Sequence, residues 1–193
     1  MNNYLQFLLL VIINILVIGC DNKTYSNNFK NNPKDALQII IIRHAEKPTS
    51  GGDNLSCQGQ NRAHLLPELI TKKFGQPAYI YVPALKSAKS SAHSRMFQTA
   101  TPIAIKYDVA INSKYNQTDF VDVAHSVLEK NGTVLMVWSH GEIPALAKAL
   151  GIDSALDWEK KDFDSIWRIT FEDGKATLSK DIEGLNPLEN CNF

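Results

Sequence analysis

Two histidines in this chain stand directly behind runs of residues that prefer a protein interior. His44 follows Arg43 at the end of Ile39-Ile40-Ile41-Ile42, and His140 follows Ser139 at the end of Thr133-Val134-Leu135-Met136-Val137-Trp138. Such short, β-branched, apolar runs read as strands buried on both faces. In open α/β sheets, ligand sites form outside the carboxyl ends of the strands. A guanidinium and an imidazole at such an end suit an anion together with a nucleophile or a base. A third piece, Ser94-Arg95-Met96-Phe97-Gln98-Thr99-Ala100, puts Arg95 at or near a helix start. There, backbone N–H groups and the helix dipole favour anions. If the two strands are neighbours, both imidazoles point into one crevice.

The elements that must position these groups follow from periodicity and from stop signals. Leu37–Ile42 is the first strand. Ser56–Phe74 reads as a helix, with Ser56 as N-cap, Gly75 as stop, and Leu65, Leu66, Leu69 and Ile70 on one face. Ala78–Val82 is a short strand closed by Pro83. Ser94–Tyr107 carries Met96, Ala100, Ile103 and Ala104 at helical spacing, and Pro102 is expected to kink it or to mark where two segments meet. Val109–Ile111 reads as an edge strand and Asp119–Lys130 as a helix ended by Asn131-Gly132. Thr133–Trp138 is a buried strand, and Ile143–Leu150 a helix with Pro144 in its first turn. Ser165–Phe171 and Lys175–Ser179 flank Glu172-Asp173-Gly174, a hairpin signal. Strands alternate with helices, so the expected class is α/β. The architecture is a three-layer sandwich: a mainly parallel sheet, helices on both faces, and a C-terminal antiparallel hairpin. Trp138 and Trp167 are expected in the core. Trp158 falls in the charged segment 157–164, which reads as a surface loop.

The chain has 193 residues, with 20 Lys plus Arg against 20 Asp plus Glu, so its formal net charge is zero. No basic stripe suggests nucleic acid, and no Cys/His cluster has zinc spacing. Leu5 to Ile18 is apolar apart from Gln6 and Asn14, which suits a signal-peptide core better than a membrane span. It ends in Val17-Ile18-Gly19-Cys20, which resembles the lipobox of bacterial lipoproteins. That resemblance implies a signal peptide over 1–19, a lipidated Cys20, a flexible tether over 20–35 and a folded domain over 36–193. The domain would then sit in the bacterial envelope, lipid-anchored and facing the periplasm or the outside. Met1 to Gln6 carries no Lys or Arg, so an uncleaved N-terminal anchor helix is the alternative. In an oxidising compartment Cys57 and Cys191 could pair; two free thiols are the other reading.

Taken together, the three chemistry-bearing pieces resemble the histidine phosphatase superfamily, the phosphoglycerate-mutase-like enzymes. Arg43-His44 with Glu46 matches its Arg-His-x-Glu signature. Arg95 in Ser-Arg-x-x-Gln-Thr-Ala matches its second arginine, and His140-Gly141 its second histidine. Leu55-Ser56-x-x-Gly59 and Arg62-Ala63 are also similar, so the resemblance runs from about Ile39 to Phe171. It implies a metal-independent phosphatase that hydrolyses a phosphomonoester or a phosphoprotein through a phosphohistidine on His44, with no metal and no cofactor. Arg43 and Arg95 would clamp two sides of the phosphoryl group, and His140 would donate to a third oxygen. Two nearby arginines keep His44 neutral, and its second ring nitrogen should donate to a carbonyl or carboxylate.

The general acid has three candidates. Glu142 lies where the phytase-like branch of the family carries its acid, Asp119 is the one carboxylate between Tyr107 and Phe120 that could replace the acid other relatives carry after the second arginine, and Glu46 could serve or could orient an arginine. Arg62 is a substrate contact or a solvated helix charge, and His93 is a lesser candidate for the pocket wall. The implied partners are a phosphorylated small molecule or phosphoprotein and, through the lipid anchor, a membrane. A non-catalytic anion-binding envelope lipoprotein with a degenerate site is the alternative function. Mutase activity fits less well, because the domain looks too compact for a long covering insertion.

Overall fold

Ile39 to Ile42 are all fully buried in the computed structural model, which describes residues 37–86, 91–154, 157–191 and 193. The expected signal peptide, Cys20 and the tether lie outside the described residues. The chain runs β1 (Gln38–Arg43), α1 (Cys57–Phe74), β2 (Tyr79–Tyr81), α2 (Ser94–Tyr107), β3 (Ile111–Asn112), α3 (Phe120–Leu128), β4 (Thr133–Trp138), α4 (Ile143–Ala149), β5 (Ser165–Glu172) and β6 (Lys175–Ile182). One six-stranded sheet has the order β3-β2-β4-β1-β5-β6. β1 to β4 pair in parallel, and β5 and β6 add as an antiparallel hairpin.

Strand alternation divides the isoleucines between two cores. Ile40 and Ile42, with Leu135 and Val137, meet Leu66 and Ile70 of α1 and Met96, Ala100 and Ile103 of α2. Ile39 and Ile41, with Val134, Met136 and Trp138, meet Val123 and Val127 of α3 and Ile143 and Leu146 of α4. Helices therefore cover both faces, as the three-layer expectation requires. Burial of each such side chain stabilises the fold by about 1.5–3 kcal/mol.

Local signals explain most element ends. The Ser56 hydroxyl accepts a hydrogen bond from the Gly59 N–H and caps α1, and Gly75 ends that helix at φ 81°. The β5–β6 turn has Asp173 at φ 49° and Gly174 at φ 77°, the positive pair that a two-residue hairpin turn needs. One open choice narrows and two expectations need correction. Pro102 lies inside α2, which continues through it as one helix, so it does not mark where two segments meet. Proline removes one hydrogen bond there, and the packing of Met96, Ala100 and Ile103 outweighs that loss. The edge strand starts at Ile111 rather than Val109, because the Asp108 and Val109 N–H groups turn back to close α2. Segment 157–164 is not a plain surface loop. Trp158 is buried, lies 5.1 Å from Trp167 ring to ring, and donates through Nε1 to the Asp162 carbonyl.

Cys57 and Cys191 form a disulfide with Cα atoms 4.8 Å apart, which resolves the open choice between paired and free thiols. It ties the C-terminal segment to the first turn of α1, and one turn on Asn61 also donates to the Leu188 and Asn190 carbonyls. Among the described residues, no helix is long and apolar enough to cross a membrane.

Candidate active site

The register of β1 on β4 brings the two histidines together. Arg43 stands opposite Trp138, and the His44 N–H donates to the Trp138 carbonyl at 2.9 Å. Both strands end there, so His44 and His140 leave from adjacent strand ends. Thr99 clips α2 to the same place. Its hydroxyl accepts from the Ala45 N–H at 2.9 Å and donates to the Arg95 carbonyl at 2.7 Å. Gln98 accepts from the Leu55 N–H and donates to the Asn54 side chain, and Ser94 donates to the Asp53 carbonyl. The polar residues around Arg95 thus fix the start of α2 against the loop after β1.

Gly59 sets the position of that loop. A Cβ on this residue would overlap the backbone of Glu46, whose carbonyl also accepts from the Ser56 N–H. Gly59→Ala should therefore lower stability by about 1–3 kcal/mol, the usual range for forced overpacking. Thermal unfolding measures this, and an unchanged midpoint would contradict the close approach.

His44 is buried, and its Nδ1–H donates to the Ala45 carbonyl at 2.7 Å. That bond fixes the tautomer and leaves Nε2 with a free lone pair. Burial pushes the pKa of His44 down from 6.5 to about 3; the Ala45 bond opposes this, and Arg43, Arg95 and His140 push the same way. Above pH 6.5 the ring is neutral in both folded and unfolded chains and contributes no pH dependence. Between the two values the unfolded chain binds a proton that the folded one refuses, so stability falls as pH falls. From pH 6.5 to about pH 5 this single group should cost about 2 kcal/mol. Urea unfolding at the two pH values should show that His44→Asn loses less stability than the parent chain. Equal losses would contradict a neutral, buried His44.

Arg43 is buried against segment 157–164. Its Nη1 donates to the Lys160 carbonyl at 2.7 Å and to the Asp162 carbonyl at 3.1 Å, and its guanidinium lies 3.7 Å over the Phe163 ring. Burial lowers its pKa to about 10, against the pull of Asp162 and Glu46, so it remains a cation at neutral pH. Arg95 donates through Nη1 to the Gly52 carbonyl. Burial, with Arg43, lowers the pKa of His140; Glu142 opposes the shift, and Lys160 and Lys47 add to it.

Three buried side-chain polar atoms lack a hydrogen-bond partner among the described residues: Arg43 Nε, Arg95 Nε and His140 Nδ1. Buried donors of this kind normally have partners, because an unmade bond costs about 1–3 kcal/mol. All three belong to side chains that also act electrostatically on His44.

The carboxylates separate by role. Glu46 grips Arg62 with both oxygens, at 2.8–3.0 Å. Arg62 also pairs with Glu183 at 2.5 Å, so it is a buried structural cation rather than a solvated helix charge. Burial works to lower the pKa of Arg62, but Glu46 and Glu183 more than offset it, and the net shift is upward. Burial, with Asp164 and Glu46, raises Glu183 to about 8 in spite of Arg62. Asp119 caps the turn before α3 by accepting from the Asn116 N–H and side-chain amide. Glu142 accepts from the Ser139 hydroxyl, which in turn accepts from the Gln117 amide at 2.8 Å.

A cavity of about 700 Å³ opens beside these groups. Arg43, Glu46, Arg62 and His140 line it; so do Lys47, Lys160, Lys161 and Phe163, which sequence reasoning had not assigned. His93 does not line it, and its Nδ1–H donates to the Ala84 carbonyl. The clue to the 160–163 wall was Trp158, an apolar anchor inside a charged segment. Among the described residues, no group of three or more His, Cys, Asp or Glu side chains could hold a metal ion.

No family model matches the sequence, and no curated protein matches it. Solved structures match the fold. A mutant of a phosphoserine phosphatase from Entamoeba histolytica, in complex with phosphoserine, has a TM-score of 0.53 at 14% identity, over 76% of this chain and 96% of that one. The protein histidine phosphatase SixA, complexed with tungstate, has a TM-score of 0.51 at 12% identity, over 76% and 97%.

Proposed function

We propose that this chain, which has the fold of the histidine phosphatases, is itself a phosphatase that hydrolyses phosphomonoesters through a phosphohistidine on His44. One observation carries the reading. The three unpartnered buried polar atoms belong to two arginines and a histidine gathered around a neutral imidazole. A phosphoryl group in transfer carries negative charge on three equatorial oxygens. Arg43, Arg95 and His140 supply that many donors, already desolvated and fixed. Preorganised donors of this kind stabilise developing charge most effectively. Tungstate, found with SixA, and phosphoserine, found with the Entamoeba enzyme, support an anion of this class.

In the first step the His44 Nε2 lone pair attacks phosphorus, and the bond from phosphorus to the leaving oxygen breaks. Glu142 gives that oxygen a proton. In the second step a water oxygen attacks phosphorus, the P–N bond breaks, and the water proton goes to the Glu142 carboxylate. Inorganic phosphate leaves, and His44 is neutral again. Glu142 is favoured because it lies near enough to His140 to act on it and its side chain, among the described residues, holds the Ser139 hydroxyl alone, whereas Glu46 is gripped by the Arg62 guanidinium and Asp119 caps the turn at Asn116. Glu46 and Arg62 line the cavity and brace the loop after β1.

We also infer that the protein works outside the cytoplasmic membrane, lipid-anchored through Cys20. The Cys57–Cys191 bridge supports an oxidising compartment, and the apolar run ending in Cys20 supports the anchor.

Hydrolysis of p-nitrophenyl phosphate by the full chain tests the reading. Turnover should be inhibited by tungstate and be unaffected by chelator. Tungstate binding without turnover of any phosphomonoester would instead favour the non-catalytic anion-binding protein.

A further inference from the structure

The cavity holds more positive charge than one phosphoryl group requires. Arg43 and His140 both line it and both act on His44, so it adjoins the groups around that ring. Its volume of about 700 Å³ is in the range of sites that take whole small molecules. Five cationic residues line it, Arg43, Lys47, Arg62, Lys160 and Lys161, against two carboxylates, Glu46 and Asp164. Glu46 is gripped by Arg62, and Asp164 turns to the Gly184 N–H and Arg62. Arg43 belongs to the phosphoryl clamp. Among the described residues, no ion pair joins Lys47, Lys160 or Lys161 to a carboxylate.

The acids of segment 157–164 do not cancel this charge at the cavity. The Asp162 carboxylate accepts from the Asp164 and Ser165 N–H groups, and neither Asp157 nor Glu159 lines the cavity. The segment is itself held in place: the Lys160 and Asp162 carbonyls take Arg43, and Trp158 anchors the loop on Trp167. A chain with no net charge thus concentrates unpaired cations at one mouth. Clefts lined by one sign of charge focus their field and raise the local concentration of the opposite sign.

We propose that Lys47, Lys160 and Lys161 form a second anion subsite, which takes a second negatively charged group of the substrate while the scissile phosphoryl lies against Arg43, Arg95 and His140. This rests on the phosphatase reading and narrows it to small phosphomonoesters that carry a further phosphate or carboxylate. The Phe163 ring and the Pro48 side chain, also on the wall, suit the short carbon skeleton between the two anions.

The test compares ethyl phosphate, 2-phosphoglycolate and 1,3-propanediol bisphosphate as substrates of the full chain. The parent should favour the second or third over the first by at least about tenfold in kcat/KM, mainly through KM; three weak ion pairs add up to that order. The preferred arm tells whether the second anion is a carboxylate or a phosphate. In the variant combining Lys47→Gln, Lys160→Gln and Lys161→Gln the preference should collapse towards unity. These substitutions leave the Lys160 carbonyl that orients Arg43 in place. A parent without preference, or a preference that survives in the variant, would overturn the subsite. A binding arm separates this from failure of the phosphatase reading. Methylenediphosphonate should bind the parent at least about tenfold tighter than methylphosphonate, and the variant should lose that margin, whether or not any ester is hydrolysed. Equal binding of the two phosphonates would again reject the subsite.

Discussion

His44→Ala should lower kcat for a phosphomonoester by at least about 10⁴-fold, the scale seen when a covalent nucleophile is removed. The argument is geometric and electrostatic. His44 sits at the end of the central strand, with its backbone tied to Trp138 and its Nδ1–H to Ala45. Only Nε2 is left to attack. Burial lowers its pKa to about 3, so the proposed nucleophile is neutral across the whole neutral range. No other imidazole can substitute: His140 has its own place on the neighbouring strand end, and His93 is tied to Ala84. The variant should keep its fold, since the two cores do not include this ring. Circular dichroism of the variant checks that point, and a fully active His44→Ala would remove the proposed mechanism.

The second large effect concerns the arginines. Losing one preorganised charge donor typically costs about 10²–10³-fold in kcat. Arg95→Ala should fall in that range, because among the described residues the Arg95 side chain bonds only the Gly52 carbonyl. Arg43→Ala should cost more. It also releases the Lys160 and Asp162 carbonyls and uncovers Phe163, so the cavity wall loosens along with the clamp. Arg43→Lys should not rescue it. An ammonium is a single point charge and cannot serve two carbonyls, an aromatic face and a phosphoryl oxygen at once. Steady-state kinetics on the three variants, with tungstate dissociation constants, tests the order. Arg95→Ala equal to or worse than Arg43→Ala would contradict this account of Arg43.

Much of this arrangement could be read before any coordinates. Periodicity gave β1, β4, α1 and α4 because their burial is one-sided or complete and leaves a clean pattern. His44 and His140 were legible for the same reason: each follows a strand with no ambiguity in its end. Arg95 needed only the helix start that Ser94 to Ala100 implies. Other features depend on contacts between distant segments and leave little local trace. Arg62 donates to both Glu46 and Glu183, and 121 residues separate Arg62 from Glu183. The wall from Lys160 to Phe163 was hidden because its composition is that of a solvated loop. Its order comes from Trp158 stacking on β5 and from Arg43, neither of which is local to it. The Cys57–Cys191 pairing depends on how the C-terminal segment returns to α1, a path that sequence spacing does not encode.

The central claim is covalent, so the direct measurement is of the covalent species. The full chain is mixed briefly with a phosphorus-labelled phosphomonoester, quenched in denaturant at alkaline pH, digested and mapped. The account predicts label on the peptide that contains His44, stable to alkali, lost in acid, and absent from His44→Ala. Turnover with no labelled peptide at any mixing time, or label on a residue other than His44, would contradict it.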